Sequence, residues 1–482
     1  MNEPINNMLS GVIPADSTAG ACGGVDGAIR KCLASHQNRI ISDMDVYSSW
    51  AVFAEAGTGK TITALSWVYN NLVNGTIDSA LIVCPASLIP SWVMSIEEMT
   101  EFEGYTEFDV ELMRSAVTLI SYSRVWSSYF DEIHHRNGTK SRYKKYRVRP
   151  EIDHQWGAII LDESHALGSP SSIQTKTCLK LSFLTEHRYI LTGTPDSGRY
   201  EKLYGQIKFL DPARWNSFKE FDAEFVRSHD KFGNPRSYYV EKCEELKRQY
   251  GTIARLRECY DMPEKIDCDV PVELPDAKVY KDMIIGNTAP YNLTVTVSGV
   301  LYTKQLQACS GFLNTDDCVL DFGSTKLDAL MEIIHSREDK IVVFCTYSHS
   351  IDLICEKLAK EGIKHHRFDG SQPKPVWQDF QKDDSRVIVI QYQRGGAGIN
   401  LFASSCMVLY EPSSVEKLEQ AKARIFRKGQ KNNCIYYFLY CKGTIEERTV
   451  RSVRNGVDVT TEMADRWAKE ISESLKQTRL PV

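Results

Sequence analysis

The sequence predicts an α/β protein made of two successive lobes, each a parallel sheet covered on both faces by helices. Three observations carry that prediction. Short apolar runs ending in polar loops alternate with helix-like stretches through the first half of the chain. The same alternation restarts near residue 326. Only the first half holds a glycine-rich phosphate loop, so the two lobes are alike in pattern and unlike in chemistry.

Taken in order, WAVFAEAG, ALIVCPAS, VTLISYS, GAIILDES and RYILTGTP each read as a short buried strand that delivers a polar loop at its C-terminal end. In sheets of this kind chemistry gathers at those ends. The stretch 211–325 is more charged and reads as a helical insertion and linker. KIVVFCTYS, RVIVIQY, CMVLYEP and CIYYFLY then supply the second set of strands, and Ile351, Ile354 and Leu358 fall at helical spacing after the first of them. The expected organisation is an N-terminal extension over 1–30, a first lobe over 31–210, the insertion over 211–325, a second lobe over 326–455, and a C-terminal helix or tail over 456–482.

Residues 54–61 read AlaGluAlaGlyThrGlyLysThr after an apolar run and before a helix-like segment. Glycines at 57 and 59 let the backbone turn tightly, so that N–H groups of Ala56, Gly57, Thr58 and Gly59 can cradle phosphates. In such a loop Lys60 reaches the β- and γ-phosphates and the Thr61 hydroxyl holds Mg²⁺. Asp162-Glu163-Ser164-His165 closes the run GAIILDESH and supplies the remaining chemistry: Asp162 toward the metal, Glu163 toward an attacking water. Loop and acidic pair together predict ATP hydrolysis. No partner ligands flank His165, so a coupling role fits it better than metal binding.

Composition bounds the rest. At 482 residues the chain exceeds one ordinary core, and 42% hydrophobic with 25% charged residues fits a globular protein. No apolar stretch approaches a membrane span, and no export signal or membrane association is expected. Fourteen cysteines are scattered without any CxxC, which points to reduced thiols in a cytoplasmic setting. The net charge of −5 gives no global attraction for nucleic acid, so binding must come from a local basic surface. One candidate is the acid-free run holding Arg136, Lys140, Arg142, Lys144, Lys145, Arg147 and Arg149, with Tyr143 and Tyr146 interleaved.

A further ordered set of motifs narrows the reading. GGAGINL occupies 395–401 and QAKARIFRKGQ occupies 420–430. HisGln lies at 36–37, LTGTP at 191–195, QLQACSGFL at 305–313, STKLDAL at 324–330 and FDGS at 368–371. Each piece is weak, but the ordered set resembles helicase superfamily two, and specifically its Swi/Snf-related branch. That resemblance implies two RecA-like lobes with ATP at their interface and helical insertions between them. It implies translocation on double-stranded DNA, with remodelling or displacement of DNA-bound proteins, by a compact stand-alone motor such as bacterial and phage genomes carry. It adds Gln37 as the adenine contact, Gly398 and Gln420 to the nucleotide-binding set, and Arg424 and Arg427 as arginine fingers spaced one helical turn apart. Pro85, Ser87, Tyr122, Thr346, Gly395 and Gly396 match positions where the family touches DNA phosphates, and Lys144, Lys145 and Arg147 are candidate contacts outside the family motifs. A strand-separating DNA or RNA helicase acting on single strands, and an ATP-gated nucleic-acid clamp that does not step, are the alternatives. Departures from the family are local: DESH stands for DEAH, Tyr410-Glu411 for an Asp, and Pro373 and Pro375 interrupt a shortened segment after FDGS.

Overall fold

The computed structural model describes residues 33–98, 107–134, 140–196, 199–229, 233, 235–286, 288–289, 293–294, 298–315, 318–371, 376–395 and 399–477. By backbone contacts the chain divides into two compact units, Met1–Asp261 and Met262–Val482.

Among the described residues, ten strands belong to the first unit. They are β1 (Ser49–Ala54), β2 (Ala80–Cys84), β3 (Val117–Ser121), β4 (Trp126–His134), β5 (Lys140–Val148), β6 (Ala158–Asp162), β7 (His187–Thr192), β8 (Val226–His229), β9 (Pro235–Tyr238) and β10 (Gly251–Ala254). Six of them form an all-parallel sheet in the order β10-β1-β7-β6-β2-β3. Alternate residues feed separate cores on its two faces. Val52, Ile82, Leu119, Ile160 and Leu191 pack on one side with the helices Ser35–Val46 and Lys60–Val73. Phe53, Leu81, Val83, Ile159, Leu161 and Ile190 pack on the other with Ile173–Leu181 and Lys202–Leu210. A sheet buried on both faces needs apolar residues at every strand position, which is why these strands read as continuous apolar runs.

The second unit holds β11 (Lys265–Val272), β12 (Thr288–Ala289), β13 (Leu293–Thr294), β14 (Phe312–Asn314), β15 (Val319–Asp321), β16 (Ile341–Cys345), β17 (His365–Phe368), β18 (Val387–Gln391), β19 (Cys406–Leu409) and β20 (Cys434–Cys441). Its parallel six-stranded sheet runs β11-β20-β19-β16-β18-β17. Ile341, Val343, Val387, Val389, Cys406 and Val408 form the core against Ser348–Lys360 and Thr325–His335.

One expectation needs correction. The stretch 211–325 is not only helical linker, because it gives one edge strand to each sheet, β10 and β11. β10 escaped notice because it is four residues long, and β11 because its residues are exposed or half-buried, without an apolar run. Helix Thr461–Gln477 buries Ala464 and Ile471 in a cluster with Tyr280, Met283, Leu306 and Ile445. Among the described residues no helix is long and apolar enough to cross a membrane.

Candidate functional site

β1 delivers the phosphate loop, and its last four residues are buried, which fixes the loop's root. Gly57 and Gly59 adopt φ of 88° and 85°, the left-handed region where a side chain is strained. A Cβ on Gly59 would also lie 2.2 Å from Gln37 Nε2. The helix Lys60–Val73 follows directly, so its first-turn N–H groups face the loop. Lys60 Nζ donates to the carbonyl of Ala54 at 2.8 Å, which folds the ammonium back over that loop. Thr58 is buried and its carbonyl accepts from His36 Nε2 at 2.9 Å and from Gln37 Nε2 at 3.3 Å. The expected adenine reader therefore lies against the loop, with its neighbour His36 beside it. Since a carbonyl only accepts, His36 carries its proton on Nε2.

β6 delivers the acidic pair. Asp162 is 5% exposed, Oδ2 accepting from the Trp92 indole at 2.9 Å and Oδ1 from the Glu163 N–H at 2.9 Å. Burial, reinforced by the charge of Glu163, pushes its pKa up to about 6, while Lys60 and the two donors oppose the rise. Glu163 has φ 49°, the one non-glycine residue with positive φ among those described. Such a conformation costs about 1–3 kcal/mol and persists only where the surroundings impose it. Here Glu163 Oε2 lies 3.3 Å from His165 Nδ1, which in turn lies 2.9 Å from Thr192 Oγ1, and Thr192 Oγ1 accepts from the Thr194 N–H at 3.1 Å. The acidic pair is thus wired to LTGTP through His165. A Cβ on Gly193 would come within 3.2 Å of the Ala54 carbonyl, so that segment runs close beside the phosphate loop.

In the second unit, Arg424 lies on the helix Val415–Ile425, but Arg427 lies beyond its end. The expected spacing of one turn on one helix face is therefore wrong. The two side chains converge for another reason: both donate to the carbonyl of Ile399, Arg424 Nη1 at 3.5 Å and Arg427 Nη1 at 2.9 Å. Burial lowers the pKa of Arg427 from its usual value. Gln420 is half-buried on the same helix, and Gln430 clamps the carbonyls of Phe402, Ser404 and Ile425. Gly395 ends a short helix begun at Tyr392, whereas Gly396, Gly398, Pro373 and Pro375 lie outside the described residues.

The candidate phosphate contacts fare unequally. Pro85 begins the turn Ala86–Leu88 after β2, and Ser87 in it is exposed. Thr346 donates its N–H to Glu411 Oε2 at 2.7 Å and its hydroxyl to the Pro412 carbonyl at 3.1 Å. Glu411 is thereby the buried brace of that loop, which gives a role to one departure from the family pattern. Tyr122 is 4% exposed, and its hydroxyl donates to the Asp162 carbonyl at 2.9 Å. Its side chain braces the acidic pair, so little of it faces solvent. Lys144, Lys145 and Arg147 are exposed on β5. Sequence reasoning missed Trp92 and His36 as site residues, although HisGln begins on His36 and Trp92 follows closely after ALIVCPAS.

Fold and site define a P-loop protein of helicase superfamily two. Residues 48–284 match the SNF2-related domain and 325–429 the helicase conserved C-terminal domain, and the chain belongs to the Snf2 family. It is 25% identical to the DNA repair protein rhp54 of Schizosaccharomyces pombe over 82% of this chain and 53% of that one. To the DNA annealing helicase and endonuclease ZRANB3 of Mus musculus it is 24% identical, over 81% of this chain and 37% of that one. The chain thus spans about half or less of these relatives. A solved structure titled Sulfolobus solfataricus SWI2/SNF2 ATPase core in complex with dsDNA matches 93% of this chain and 97% of that one. The match is at 20% identity with a TM-score of 0.38.

Proposed function

We propose that the chain hydrolyses ATP with Mg²⁺ to move along double-stranded DNA, and that it remodels or displaces what is bound there. The observation that carries the hydrolytic part is Glu163, held in a strained backbone position by its link to His165, next to the buried Asp162 and near Lys60. Asp162 and the Thr61 hydroxyl are hard oxygen donors of the kind Mg²⁺ prefers, and each Asp162 oxygen is bound by a single donor, leaving lone pairs for a metal. Mg²⁺-bound ATP would supply the reacting phosphoanhydride. Lys60 neutralises phosphate charge, Glu163 orients the water, and Arg424 and Arg427 add positive charge to the transition state, a contribution on the order of 10³–10⁵ in rate. Gln37 fits an adenine contact, and Gly398 and Gln420 belong to the same nucleotide-binding set. The duplex-DNA part draws on family membership and on relatives named for DNA repair and annealing. Ser87, Pro85, Thr346, Gly395 and Gly396 are assigned backbone-phosphate contacts, which read no sequence. Free thiols throughout the described cysteines accord with an intracellular setting.

The test is the ATPase rate without nucleic acid and with duplex DNA, single-stranded DNA or RNA. Selective stimulation by duplex is expected; equal or greater stimulation by single strands or RNA would replace the translocase with a helicase. ATP-dependent triplex displacement separates a stepping motor from a clamp. Lys60→Ala should lose nucleotide binding. Glu163→Gln and Arg427→Ala should bind ATP yet lose at least about 10²-fold in stimulated turnover. Near-normal turnover in either would remove that residue from the reaction.

A further inference from the structure

The first unit carries a two-stranded ribbon that none of the catalytic motifs uses. β4 and β5 pair in antiparallel register from Trp126 opposite Val148 out to His134 opposite Lys140. The base of the ribbon belongs to the core: Val148 is buried, and Trp126 packs against the same cluster. Farther along, Tyr129, Phe130 and Tyr143 are 38%, 59% and 47% exposed. Beyond its packed base a two-stranded ribbon has little stability to spare, so large aromatic rings left in water point to something that covers them.

Charge says what that something is. In a chain of net charge −5, β5 carries Lys140, Arg142, Lys144, Lys145 and Arg147 against Asp131 and Glu132 of β4. Register sorts the ribbon into two faces. Tyr129, Tyr143, Lys145 and Arg147 share one with Asp131, which pairs with Lys145, and the Arg147 guanidinium lies 5.4 Å from the Tyr129 ring centre. Phe130, Arg142 and Lys144 share the other, with the Arg142 guanidinium 5.2 Å from the Phe130 ring. Rings and cations therefore alternate within reach of one another on a surface that attracts polyanions. Duplex DNA hides the faces of its bases in the stack, whereas an unpaired strand offers planar bases and phosphates together. Aromatic platforms interleaved with cations are the means by which proteins hold single strands without reading sequence.

We propose that the β4–β5 ribbon binds an unpaired strand of nucleic acid, stacking bases on Tyr129 and Tyr143 while Lys145 and Arg147 neutralise the adjacent phosphates. This rests on the reading of the chain as a DNA motor and adds the strand state it engages: a junction where duplex meets single strand. Phe130, on the opposite face, is a second platform rather than part of the same stack.

The experiment compares binding of the full chain to blunt duplex DNA and to the same duplex bearing unpaired thymidine arms, one arm carrying 2-aminopurine. The wild-type chain should prefer the forked DNA by about tenfold or more, since a single stacked base contributes that much, and the 2-aminopurine fluorescence should be quenched on binding. Tyr129→Ser/Tyr143→Ser should lose most of the preference and the quenching, and Tyr129→Phe/Tyr143→Phe should keep both. A wild-type chain that lacks fork preference while duplex still stimulates its ATPase would overturn this inference and leave the motor intact. Equal weakening on both DNAs in the Ser variant, with quenching retained, would likewise overturn it, showing that the rings only support the ribbon. No response to any nucleic acid would remove the motor reading itself, and this proposal with it.

Discussion

Asp162 is held by donors from two places in the chain, its own neighbour Glu163 and the indole of Trp92, 70 residues earlier. A hydrogen bond to a charged group contributes about 1.5–3 kcal/mol, which corresponds to roughly one to two pKa units. Trp92→Phe removes the donor and keeps the ring, so the Asp162 carboxyl, already pushed up to about 6, should rise further. The sign follows: protonation competes with Mg²⁺ for the carboxylate, so a higher pKa moves the acidic limb of ATPase activity to higher pH at limiting Mg²⁺. Saturating Mg²⁺ should restore much of the loss. A limb that stays put at limiting Mg²⁺ would show that the indole does not tune this carboxylate. Lys60, Asp162 and Glu163 were legible in the sequence because their chemistry is set by local spacing. Trp92, His36 and the burial of Tyr122 were not, because each depends on a partner far along the chain.

Elements follow the same division. The central strands announce themselves as apolar runs, since both faces of each parallel sheet are covered. Edge strands are less explicit. β10 is marked chiefly by Gly251, where a Cβ would lie 2.6 Å from the Ala51 carbonyl oxygen, a close approach that hydrophobic patterning does not register. The basic run from Arg136 to Arg149 read as a candidate nucleic-acid surface but not as a strand, because its pairing with β4 is a matter of register, not composition. The helices Thr325–His335 and Ile445–Arg454 are tied by an ion pair between Lys326 and Glu446, both 0% exposed, with the Cys441 N–H also donating to Glu446 at 2.9 Å. Breaking such a pair strands one buried charge and costs about 3–5 kcal/mol, whereas replacing both partners with apolar residues is often near neutral. Glu446→Gln should therefore lower the denaturation midpoint of the second unit sharply, and Lys326→Met/Glu446→Leu should recover most of it. A mild single mutant would mean that Lys326 sheds its proton or finds another partner.

At the scale of the whole molecule the balance of charge is the governing quantity, and it was available from composition alone. Acidic residues outnumber basic ones, 63 to 58, so duplex DNA meets no net attraction and binding must be assembled from individual phosphate contacts. Each contact releases condensed counterions, so the logarithm of affinity should fall linearly with the logarithm of salt, with a slope near −0.9 per contact. With roughly six to ten contacts, affinity should drop about 10³–10⁵-fold between 50 and 200 mM salt. The unstimulated ATPase rate should change far less, because Asp162 and the links around it are buried and screened weakly. Three of the proposed contacts can be subtracted deliberately. On forked DNA, Lys144→Ala/Lys145→Ala/Arg147→Ala should reduce the slope by about one to two units if the cations meet phosphates of the unpaired strand, where each contact contributes about 0.7. The lower figure is favoured because Lys145 is already paired with Asp131 and gains less from a phosphate. A smaller slope with normal unstimulated turnover places the β4–β5 cations on the nucleic acid. An unchanged slope places them in solvent, and the DNA contacts then have to come from the loops at the ends of the parallel strands.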